Sequence, residues 1–418
     1  MDQKLSTTAE MDFEVRKTRV EDAIALRPTD QTPFHLAWRF WPAFQAGITF
    51  EKAMYDPASM RAAAAKLIPE LKPDHFQNPL PNIAIGNPLE TMDFQALNWP
   101  GHGVDKNVSY QYIDQEFMFA DEYDDYLFDP TGYFLHTYLP RVAGVFEPFK
   151  QLPDIPSLYY LRILMGSRGF TQPGVQEAFD KIATATEQVD DMLAEAIGLA
   201  EDMAGQGFPT LQAGTASAPF DLFTDYMRGS KGAMLDMFRQ PDNLLAAIDK
   251  ASRIMVRSVI KSAAGRPGKL IFMPLHWGLD GFMSPEKFET FYWPQLRQVI
   301  LELIEADLVP YVFWEGECGS RLETIADIPA GKAIYKFERT DLFRAKEILG
   351  DVVCIQGNVP GSMLNTSTPD EVDDYCRRLI QEVGKGGGFI LDGAVGVPDE
   401  AKYENVLAMA QPPAKYRE

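Results

Sequence analysis

From residue 175 onward, short apolar segments alternate with amphipathic helices, and this alternation constrains the fold more than any other feature. The predicted strands are 209–215, 269–275, 309–314, 332–338, 352–358 and 387–393. Amphipathic stretches between them predict helices at 174–207, 239–265, 284–307, 341–350 and 368–384. Apolar strands without polar alternation are typical of a parallel sheet that helices cover. So many units in series predict an α/β fold, the (β/α)8 TIM barrel.

The first 174 residues have a less regular pattern. Residues 1–30 read as a polar arm and a short helix that ends before Pro28, because proline cannot continue the helical hydrogen bonding. After a first strand at 31–38, the segment is rich in Pro, Gly and aromatic residues, which is typical of long loops over a barrel mouth. We therefore expect one domain of 418 residues with three parts: an arm and helix (1–30), a first strand and active-site cover (31–174), and regular βα units (175–412).

The charge of the chain excludes one class of partner. Lys and Arg number 39 and Asp and Glu number 60, so the formal net charge is −21. Nucleic-acid binding needs clustered basic residues that neutralise phosphates, and the sequence contains no basic stripe. We expect no nucleic-acid partner.

The sequence also predicts a cytoplasmic protein without a membrane partner. It contains 3 cysteines, an odd number without a disulfide spacing pattern. The N-terminal segment is charged and lacks the apolar region of a signal peptide, and no apolar run approaches the about 18 residues that a membrane span needs.

Polar side chains follow three neighbouring predicted strands. They are His276, then Glu315, Glu317 and Cys318, then Glu338. Reactive groups of a barrel gather at the carboxyl ends of the strands, so we expect these side chains to meet. Imidazole, carboxylate and thiolate are donors that zinc accepts. The sequence predicts a zinc site of these five residues, with His276, Glu315 and Glu338 as catalytic groups.

A structural interpretation of the same residues stays open. His276 can be a hydrogen-bonded structural histidine and Cys318 a small buried residue, and the carboxylates can pair with Arg321 and Arg339.

Aromatic residues are abundant near the same strand ends and predict a pocket for a flat apolar ligand. The candidate substrate-binding residues are His35, Trp38, Arg39, Trp41, Trp277, Trp314, Asn358 and Asp392. Each aromatic residue taken singly is equally compatible with an ordinary place in the core, since 12% of the chain is aromatic.

Four segments carry a resemblance to a known family: "SAPFDLFTDYMRGSKGAMLDMFRQPDNLLAAID", "MSPEKFETFYWPQLRQVI", "IQGNVPGSMLNTSTPDEV" and "GGGFILDGAVGVPDEAKYENVLAM". They resemble the uroporphyrinogen decarboxylase superfamily, which includes the decarboxylase and the corrinoid methyltransferases. Together they cover about residues 175–412 and occur in the order of the family. The resemblance implies a TIM barrel and an enzyme.

The residues favour the methyltransferase branch of this superfamily over the decarboxylase branch. The decarboxylase carries an arginine-rich segment that clamps the carboxylates of its tetrapyrrole, whereas the corresponding stretch here, "WRFWPAFQAG", contains only Arg39. A ligand with eight carboxylates would find few cations in so acidic a protein. Uroporphyrinogen decarboxylation remains the alternative.

The methyltransferase branch implies a zinc ion and a corrinoid partner. Cys318 matches the cysteine of the family's His-x-Cys motif and Glu338 matches a later glutamate, whereas Gly316 replaces the histidine and Ala394-Val395 replaces the last cysteine. Such a zinc site is rich in oxygen ligands, which suits polarising an ether oxygen. This implies an enzyme that moves the methyl group of a methoxylated aromatic compound to the cobalamin of a corrinoid protein. Without zinc, His276 or a carboxylate would supply a proton.

Other methyl donors stay open, namely methanol, methylamine and a methylated thiol. A corrinoid- or tetrapyrrole-binding protein without activity is the alternative from another functional class. The resemblance is also compatible with a homodimer.

Overall fold

Eight short parallel strands form the centre of the molecule. The computed structural model describes residues 7–153 and 159–416. The strands are β1 (His35–Leu36), β2 (His75–Phe76), β3 (Gln212–Thr215), β4 (Leu270–Leu275), β5 (Val309–Trp314), β6 (Ile334–Phe337), β7 (Cys354–Val359) and β8 (Phe389–Gly393). β3 to β8 form a six-stranded parallel sheet in sequence order, and β1 pairs with β2.

Backbone contacts join the β1–β2 pair to both edges of the six-stranded sheet. Phe34 and Leu391 form a parallel bridge, and the Leu391 N–H donates to the Pro33 carbonyl at 2.9 Å. At the other edge, the Phe76 N–H donates to the carbonyl of Pro209 at 3.3 Å. The eight strands thus follow one another around a common axis, which confirms the predicted TIM-barrel fold. Sequence reasoning missed β2, a strand of two residues within the loop-rich region.

Helices and short loops connect the strands from β3 onward, and the helices pack on the outside of the barrel. Between β3 and β5 they are Pro219–Tyr226, Gly229–Arg239, Pro241–Ala263, Pro285–Lys287, the π-helix Phe288–Tyr292 and Trp293–Glu305. After β5 they are the 3-10 helix Gly319–Arg321, Leu322–Ile325, Leu342–Leu349, Gly361–Thr366, Pro369–Arg378, the π-helix Leu379–Val383, Tyr403–Ala410 and Pro412–Lys415. The Ser284 and Thr368 side chains each accept a backbone N–H at a helix start that is followed by proline.

The cover that the sequence predicts for residues 31–174 is built from short elements. Its helices are Trp41–Gln45, Phe50–Tyr55, Pro57–Leu71, Leu80–Ile83, Gly86–Thr91, Tyr123–Phe128, Pro130–Tyr133, the π-helix Phe134–Tyr138, Leu139–Val142, the 3-10 helix Gly144–Gln151, Tyr160–Gly166 and the 3-10 helix Ser167–Thr171. A small sheet comprises Leu97–Pro100, Gly103–Val104 and Gln111–Tyr112. The long helix Pro173–Ala204 then leads to β3.

The helix Thr7–Ile24, longer than the sequence predicts, closes the amino end of the barrel. Its residues Val20, Ala23 and Ile24 pack in one apolar cluster with Leu270 and Ile334 from the first residues of β4 and β6. The opposite, carboxyl end of the barrel is therefore the end where a ligand can enter. None of the helices in the described ranges is long and apolar enough to cross a bilayer.

Candidate functional site

Two aspartates and a histidine meet at the carboxyl ends of β3 and β4. Asp221 and Asp225 are one turn apart in the helix Pro219–Tyr226, so both side chains lie on the same helical face. His276 directly follows β4, and its Nδ1 lies 2.7 Å from Asp225 Oδ2. Its backbone N–H donates to Asp221 Oδ2 at 2.8 Å. We call the group of Asp221, Asp225, His276 and Glu315 the mouth cluster.

His276 lies between two carboxylates. Its Nε2 is 3.6 Å from Oε2 of Glu315, on the side opposite Asp225. Burial opposes a charge on the ring, but hydrogen bonding and attraction from Asp225 and Glu315 raise the pKa of His276 to about 11. The imidazole is therefore a cation near neutral pH, fixed by Asp225 and directed by its Nε2 toward Glu315.

Asp221 is the buried member of the mouth cluster. Its Oδ2 accepts the hydroxyl hydrogen of Tyr292 at 2.9 Å, in addition to the His276 N–H, while its Oδ1 has no hydrogen-bond partner among the described residues. Burial, and then the charge of Asp225, raise the pKa of Asp221 to about 7. This carboxyl group therefore titrates near neutral pH.

Two further charged side chains border the mouth cluster. The pKa of Glu338 is raised, mainly because the side chain is partly buried. The positive charge of Arg339 lowers this pKa, and the negative charge of Glu315 raises it further. Arg39 is exposed, and its guanidinium carbon lies 5.9 Å from the ring centroid of Tyr110. Glu315 therefore interacts electrostatically with His276, Glu338 and Arg39, which extends the site across the ends of β4, β5 and β6.

Aromatic side chains line the opening above these charges. Tyr110 and Tyr112 come from the cover and meet edge to face at 6.1 Å, and Tyr112 meets Tyr226 edge to face at 6.4 Å. Trp277 donates its indole N–H to Asp225 Oδ1 at 2.6 Å and packs against Phe282 at 4.8 Å between ring centroids. The tyrosines and Trp277 thus form a partly exposed aromatic wall.

The five predicted zinc ligands do not come together. Cys318 is fully buried, its Sγ lies 3.3 Å from Thr340 Oγ1, and burial raises the pKa of its thiol to about 12. Glu317 is exposed, and its side chain accepts the N–H of Gly319. Among the described residues, the only group of three potential ligands within 4.8 Å of one another is Asp221, Asp225 and His276. In the structure, His276 thus belongs to a candidate metal-binding group, but its partners are Asp221 and Asp225 instead of the predicted residues.

A divalent metal ion fits this revised group. The free Oδ1 of Asp221 is a buried acceptor without a hydrogen-bond donor, which is the kind of atom a cation would satisfy. Two carboxylates and one imidazole form a donor set that zinc accepts.

Two of the predicted substrate-binding residues belong to a second polar cluster, the barrel hub, which comprises His35, Tyr311, Lys336, Gln356 and Asp392. Lys336 Nζ donates to Asp392 Oδ2 at 2.6 Å, and His35 Nδ1 lies 2.9 Å from the same oxygen. Gln356 donates to Asp392 at 2.8 Å and to the Tyr311 hydroxyl at 2.7 Å. Since β5, β7 and β8 all contribute, the barrel hub lies inside the barrel. It is buried and does not line the opening.

Three predicted tryptophans lie in the packed core. Trp38 and Trp41 are buried and donate their indole N–H groups to the carbonyls of Gln77 and Ala401. Trp314 is fully buried and packs against Phe288 and Tyr335, because it points outward from β5 toward the surrounding helices. These three tryptophans do not form the aromatic wall of the opening.

Asn358 forms hydrogen bonds with the loop after β6, which carries Glu338. Its amide N–H2 donates to the carbonyls of Glu338 and Thr340, and its carbonyl oxygen accepts the Tyr375 hydroxyl hydrogen at 3.1 Å. Asn358 therefore contacts the backbone that carries Glu338, and it is itself nearly buried.

Sequence reasoning missed Asp221, Asp225 and the three tyrosines. One signal for the aspartates was present: two acidic residues four apart at the start of a helix, directly after a predicted strand of the barrel. Tyr226 directly follows Asp225 in the same helix, whereas Tyr110 and Tyr112 carry no such signal, since they lie in a segment without periodicity.

Eight parallel strands around a common axis, with a charged, aromatic-lined opening at their carboxyl ends, define a TIM-barrel protein with a candidate active site at that opening. The family model described as "Uroporphyrinogen decarboxylase (URO-D)" matches residues 170–415, more than half of the chain. The chain therefore belongs to the URO-D family, as the sequence motifs imply.

The individual similarities are distant. A uroporphyrinogen decarboxylase of Coxiella burnetii is 24% identical over 54% of this chain and 63% of its own length, and one of Chromohalobacter salexigens is 24% identical over 66% and 79%. This chain thus matches less than two thirds of the C. burnetii protein. A solved structure of a methyltransferase from Methanosarcina mazei superposes with a TM-score of 0.62 at 15% identity, and the match covers 96% of this chain and 98% of that one. This structural likeness supports the fold.

Proposed function

We propose that the chain is an enzyme that transfers the methyl group of a methoxylated aromatic compound to the cobalamin of a corrinoid partner protein. The observation that carries the proposal is the position of His276, whose imidazole lies between the carboxylates of Asp225 and Glu315 at the strand ends, beside an aromatic wall. Removing a methyl group from an aryl ether requires stabilisation of the phenolate that leaves. A fixed cationic donor beside a site for an aromatic ring supplies that stabilisation.

In the proposed mechanism, the ring of the substrate lies against Tyr112 and Tyr226, with its ether oxygen near Nε2 of His276. The corrinoid supplies the nucleophile that accepts the methyl group. As the methyl–oxygen bond breaks, its electron pair remains on the oxygen, and His276 donates a proton to that oxygen. Asp225 holds the imidazole in place, and Asp221 holds the backbone N–H of His276.

Zinc fits the proposal at Asp221, Asp225 and His276. When bound, it would supply Lewis acidity for the ether oxygen. Without the ion, Nε2 of His276 faces Glu315 at 3.6 Å. Metal analysis of the purified protein decides between the two sources of stabilisation: about one zinc per chain that Asp221→Ala removes supports the metal, and no metal leaves His276 as the acid.

A turnover assay tests the proposal. The full chain is mixed with 2-methoxyphenol and a corrinoid protein reduced to the Co(I) state, and the absorbance of methylated corrinoid and the amount of catechol are followed. We expect both products in equal amounts and neither without the corrinoid protein. Release of catechol at the same rate without any corrinoid would contradict the proposal.

Uroporphyrinogen decarboxylation is the second candidate, because the relatives in C. burnetii and C. salexigens carry that name. The charges at the opening argue against it. Asp225 and Glu315 flank His276, and Glu338 lies near Glu315. The cations of the opening, His276, Arg39 and Arg339, are too few for a ligand with many carboxylates. Turnover of uroporphyrinogen by the purified chain would favour this candidate.

A further inference from the structure

Arg321 is a buried cation that the proposed mechanism does not use. It ends the 3-10 helix Gly319–Arg321 after β5, and its side chain is 2% exposed. Its Nη2 donates to the carbonyl of Met283 at 2.5 Å, and its Nε lies 3.3 Å from Oδ1 of Asp280. Both partners lie between β4 and the next helix of the barrel. Arg321 thus joins the segment that follows β5 to the segment that follows β4.

The two joined segments carry residues of the mouth cluster. The β4 segment, residues 276–283, begins with His276, and the β5 segment, residues 315–321, begins with Glu315. In the part of the chain that the structure describes, no hydrogen bond or ion pair joins Arg321 to either of these side chains. Any influence of Arg321 on the 3.6 Å separation between His276 Nε2 and Glu315 Oε2 is therefore transmitted through the two segments.

Further contacts hold the β4 segment against the β5 segment. The N–H of Asp280 donates to the carbonyl of Glu317 at 2.9 Å, and the carboxylate of Asp280 accepts the N–H and the hydroxyl hydrogen of Ser320 at 3.0 and 2.7 Å. Gly316 has a φ of +148°, and a Cβ at this position would lie 2.6 Å from Cδ1 of Leu279. The segments are therefore packed closely, so a shift of one is transmitted to the other.

The charge of Arg321 is only partly compensated. Burial lowers the pKa of its guanidinium, while the charges of Asp280 and Cys318 oppose that change. The ring of Phe288 lies 4.7 Å from the guanidinium carbon, and Nη1 has no hydrogen-bond partner among the described residues. Replacement of such a buried cation by an apolar side chain of similar volume often changes stability little. An apolar side chain could therefore fill this space, but it could not bind Asp280 and Met283 together.

We propose that Arg321 is a positioning residue, which sets the distance between His276 and Glu315 by binding the β4 segment at two points. This inference rests on the proposed function, because it assigns Arg321 a role in methyl transfer. A guanidinium suits the role, since its planar fork of N–H donors fixes the direction of two partners at once. Displacement of a reacting group by about 1 Å can cost about 100-fold in rate.

The structure of the variant Arg321→Met gives the first test. Asp280 is partly exposed and keeps its hydrogen bonds from Ser320, so the substitution leaves no unpaired buried charge and the variant should fold. Crystal structures of the parent and the variant in the same crystal form should differ in the separation between Nε2 of His276 and Oε2 of Glu315. An unchanged separation would overturn the inference, whatever reaction the chain catalyses.

The kinetics of the same variant give the second test. With 2-methoxyphenol and the reduced corrinoid protein, kcat of Arg321→Met should fall by about 10- to 100-fold. KM for 2-methoxyphenol should stay within about twofold, because Tyr112 and Tyr226 lie outside both segments. A loss of stability alone would lower the amount of active protein without this division between kcat and KM, so activity is expressed per folded protein. A changed separation with kcat unchanged would also overturn the inference.

Arg19→Met is the matched control. Arg19 is 9% exposed, forms ion pairs with Asp30 and Asp74, and lies in the helix Thr7–Ile24 at the amino end of the barrel. This variant should leave both the separation in the mouth cluster and kcat unchanged. An equal fall of kcat in both variants would attribute the effect to the loss of any buried arginine and would overturn the inference.

A second variant keeps the inference testable if Arg321→Met does not fold. Lysine at position 321 can reach only one of the two partners, so Arg321→Lys should change the separation and kcat in the same direction by a smaller amount. An unchanged separation in Arg321→Lys would overturn the inference. Failure of the proposed function is recognised separately: if the parent transfers no methyl group, that function is wrong, and the inference that Arg321 positions residues for methyl transfer fails with it.

Discussion

The barrel hub and the mouth cluster contain the same kinds of side chain, and they differ in how far each charge is balanced. In the barrel hub, one carboxylate, Asp392, accepts hydrogen bonds from a lysine and an amide and contacts a histidine. In the mouth cluster, three carboxylates share one histidine, and Oδ1 of Asp221 has no hydrogen-bond partner in the part of the chain that the structure describes. A balanced cluster stabilises a fold, whereas an unbalanced one retains the capacity to bind or to transfer a proton.

The pKa values of the two clusters express this difference. Burial alone would raise the pKa of Asp392, but Lys336 and His35 lower it to about 2, so this carboxylate stays ionised. Burial and His35 lower the pKa of the adjacent His75 well below its ordinary value, so that ring stays neutral. The pKa of Asp221, about 7, is displaced in the direction opposite to that of Asp392. Near neutral pH, the carboxyl group of Asp221 titrates, whereas that of Asp392 stays ionised.

The largest effect is expected when the ion pair between Lys336 and Asp392 in the barrel hub is broken. Lys336→Met leaves the ionised Asp392 buried without its ammonium partner, which should lower the free energy of unfolding by about 3–5 kcal/mol. Urea unfolding of the full chain, followed by circular dichroism, measures the loss. The double variant Lys336→Met with Asp392→Leu should recover part of it, because no charge is then left unpaired. A loss below about 1 kcal/mol for the single variant would show that the ion pair contributes little.

The second effect separates the clusters by their response to pH. Asp221 has a pKa of about 7 in the folded protein and about 3.9 when unfolded, so the folded state holds its proton more tightly and stability falls as pH rises between these values. The contribution of Asp392 is lost only below about pH 4, on the acid side of its unfolded pKa. As the pH rises from 4 to 8, the free energy of unfolding of Asp221→Asn should therefore increase by about 2–4 kcal/mol relative to that of the parent.

Unfolding curves at pH 4, 6 and 8 for the parent and Asp221→Asn check this prediction. Asparagine retains an oxygen that can accept from Tyr292 and from the N–H of His276. A constant offset between the two proteins at all three pH values would mean that Asp221 does not titrate in this range.

The fold was more predictable from the sequence than the site. Apolar strands such as 309–314 and 354–359 are buried whatever the ligand, so their apolar composition is sufficient to predict the strands of the barrel. The strand ends also identified His276 and Glu315. The zinc ligands were predicted because they follow neighbouring strands, but the position of a residue after a strand does not tell which way its side chain points. Cys318 and Trp314 point into the packed layer, and Asp221 and Asp225 reach the opening from a helix.

The third prediction concerns the role of His276, in the mouth cluster, in methyl transfer. His276→Asn removes the cationic donor and should lower the rate of methyl transfer by about 100-fold, within the range for loss of general acid catalysis. Stability should fall by about 1–3 kcal/mol, because Asp225 and Glu315 lose the cation between them while the backbone N–H still donates to Asp221. Urea unfolding identifies conditions in which the variant is folded, and activity within about threefold of the parent under those conditions would remove His276 from the mechanism.

The smallest expected effect concerns the aromatic wall. Tyr112 is 67% exposed and touches Tyr110 and Tyr226 edge to face, so its ring contributes little to folding and is available to a ligand ring. Loss of one such aromatic contact is worth about 1 kcal/mol, so Tyr112→Ala should weaken binding of 2-methoxyphenol about fivefold at unchanged stability. Tyr160→Ala removes a comparably exposed ring, 69%, from a helix of the cover and serves as the control. If Tyr160→Ala weakens binding as much as Tyr112→Ala, or if neither variant weakens it, the ligand ring does not bind against this wall.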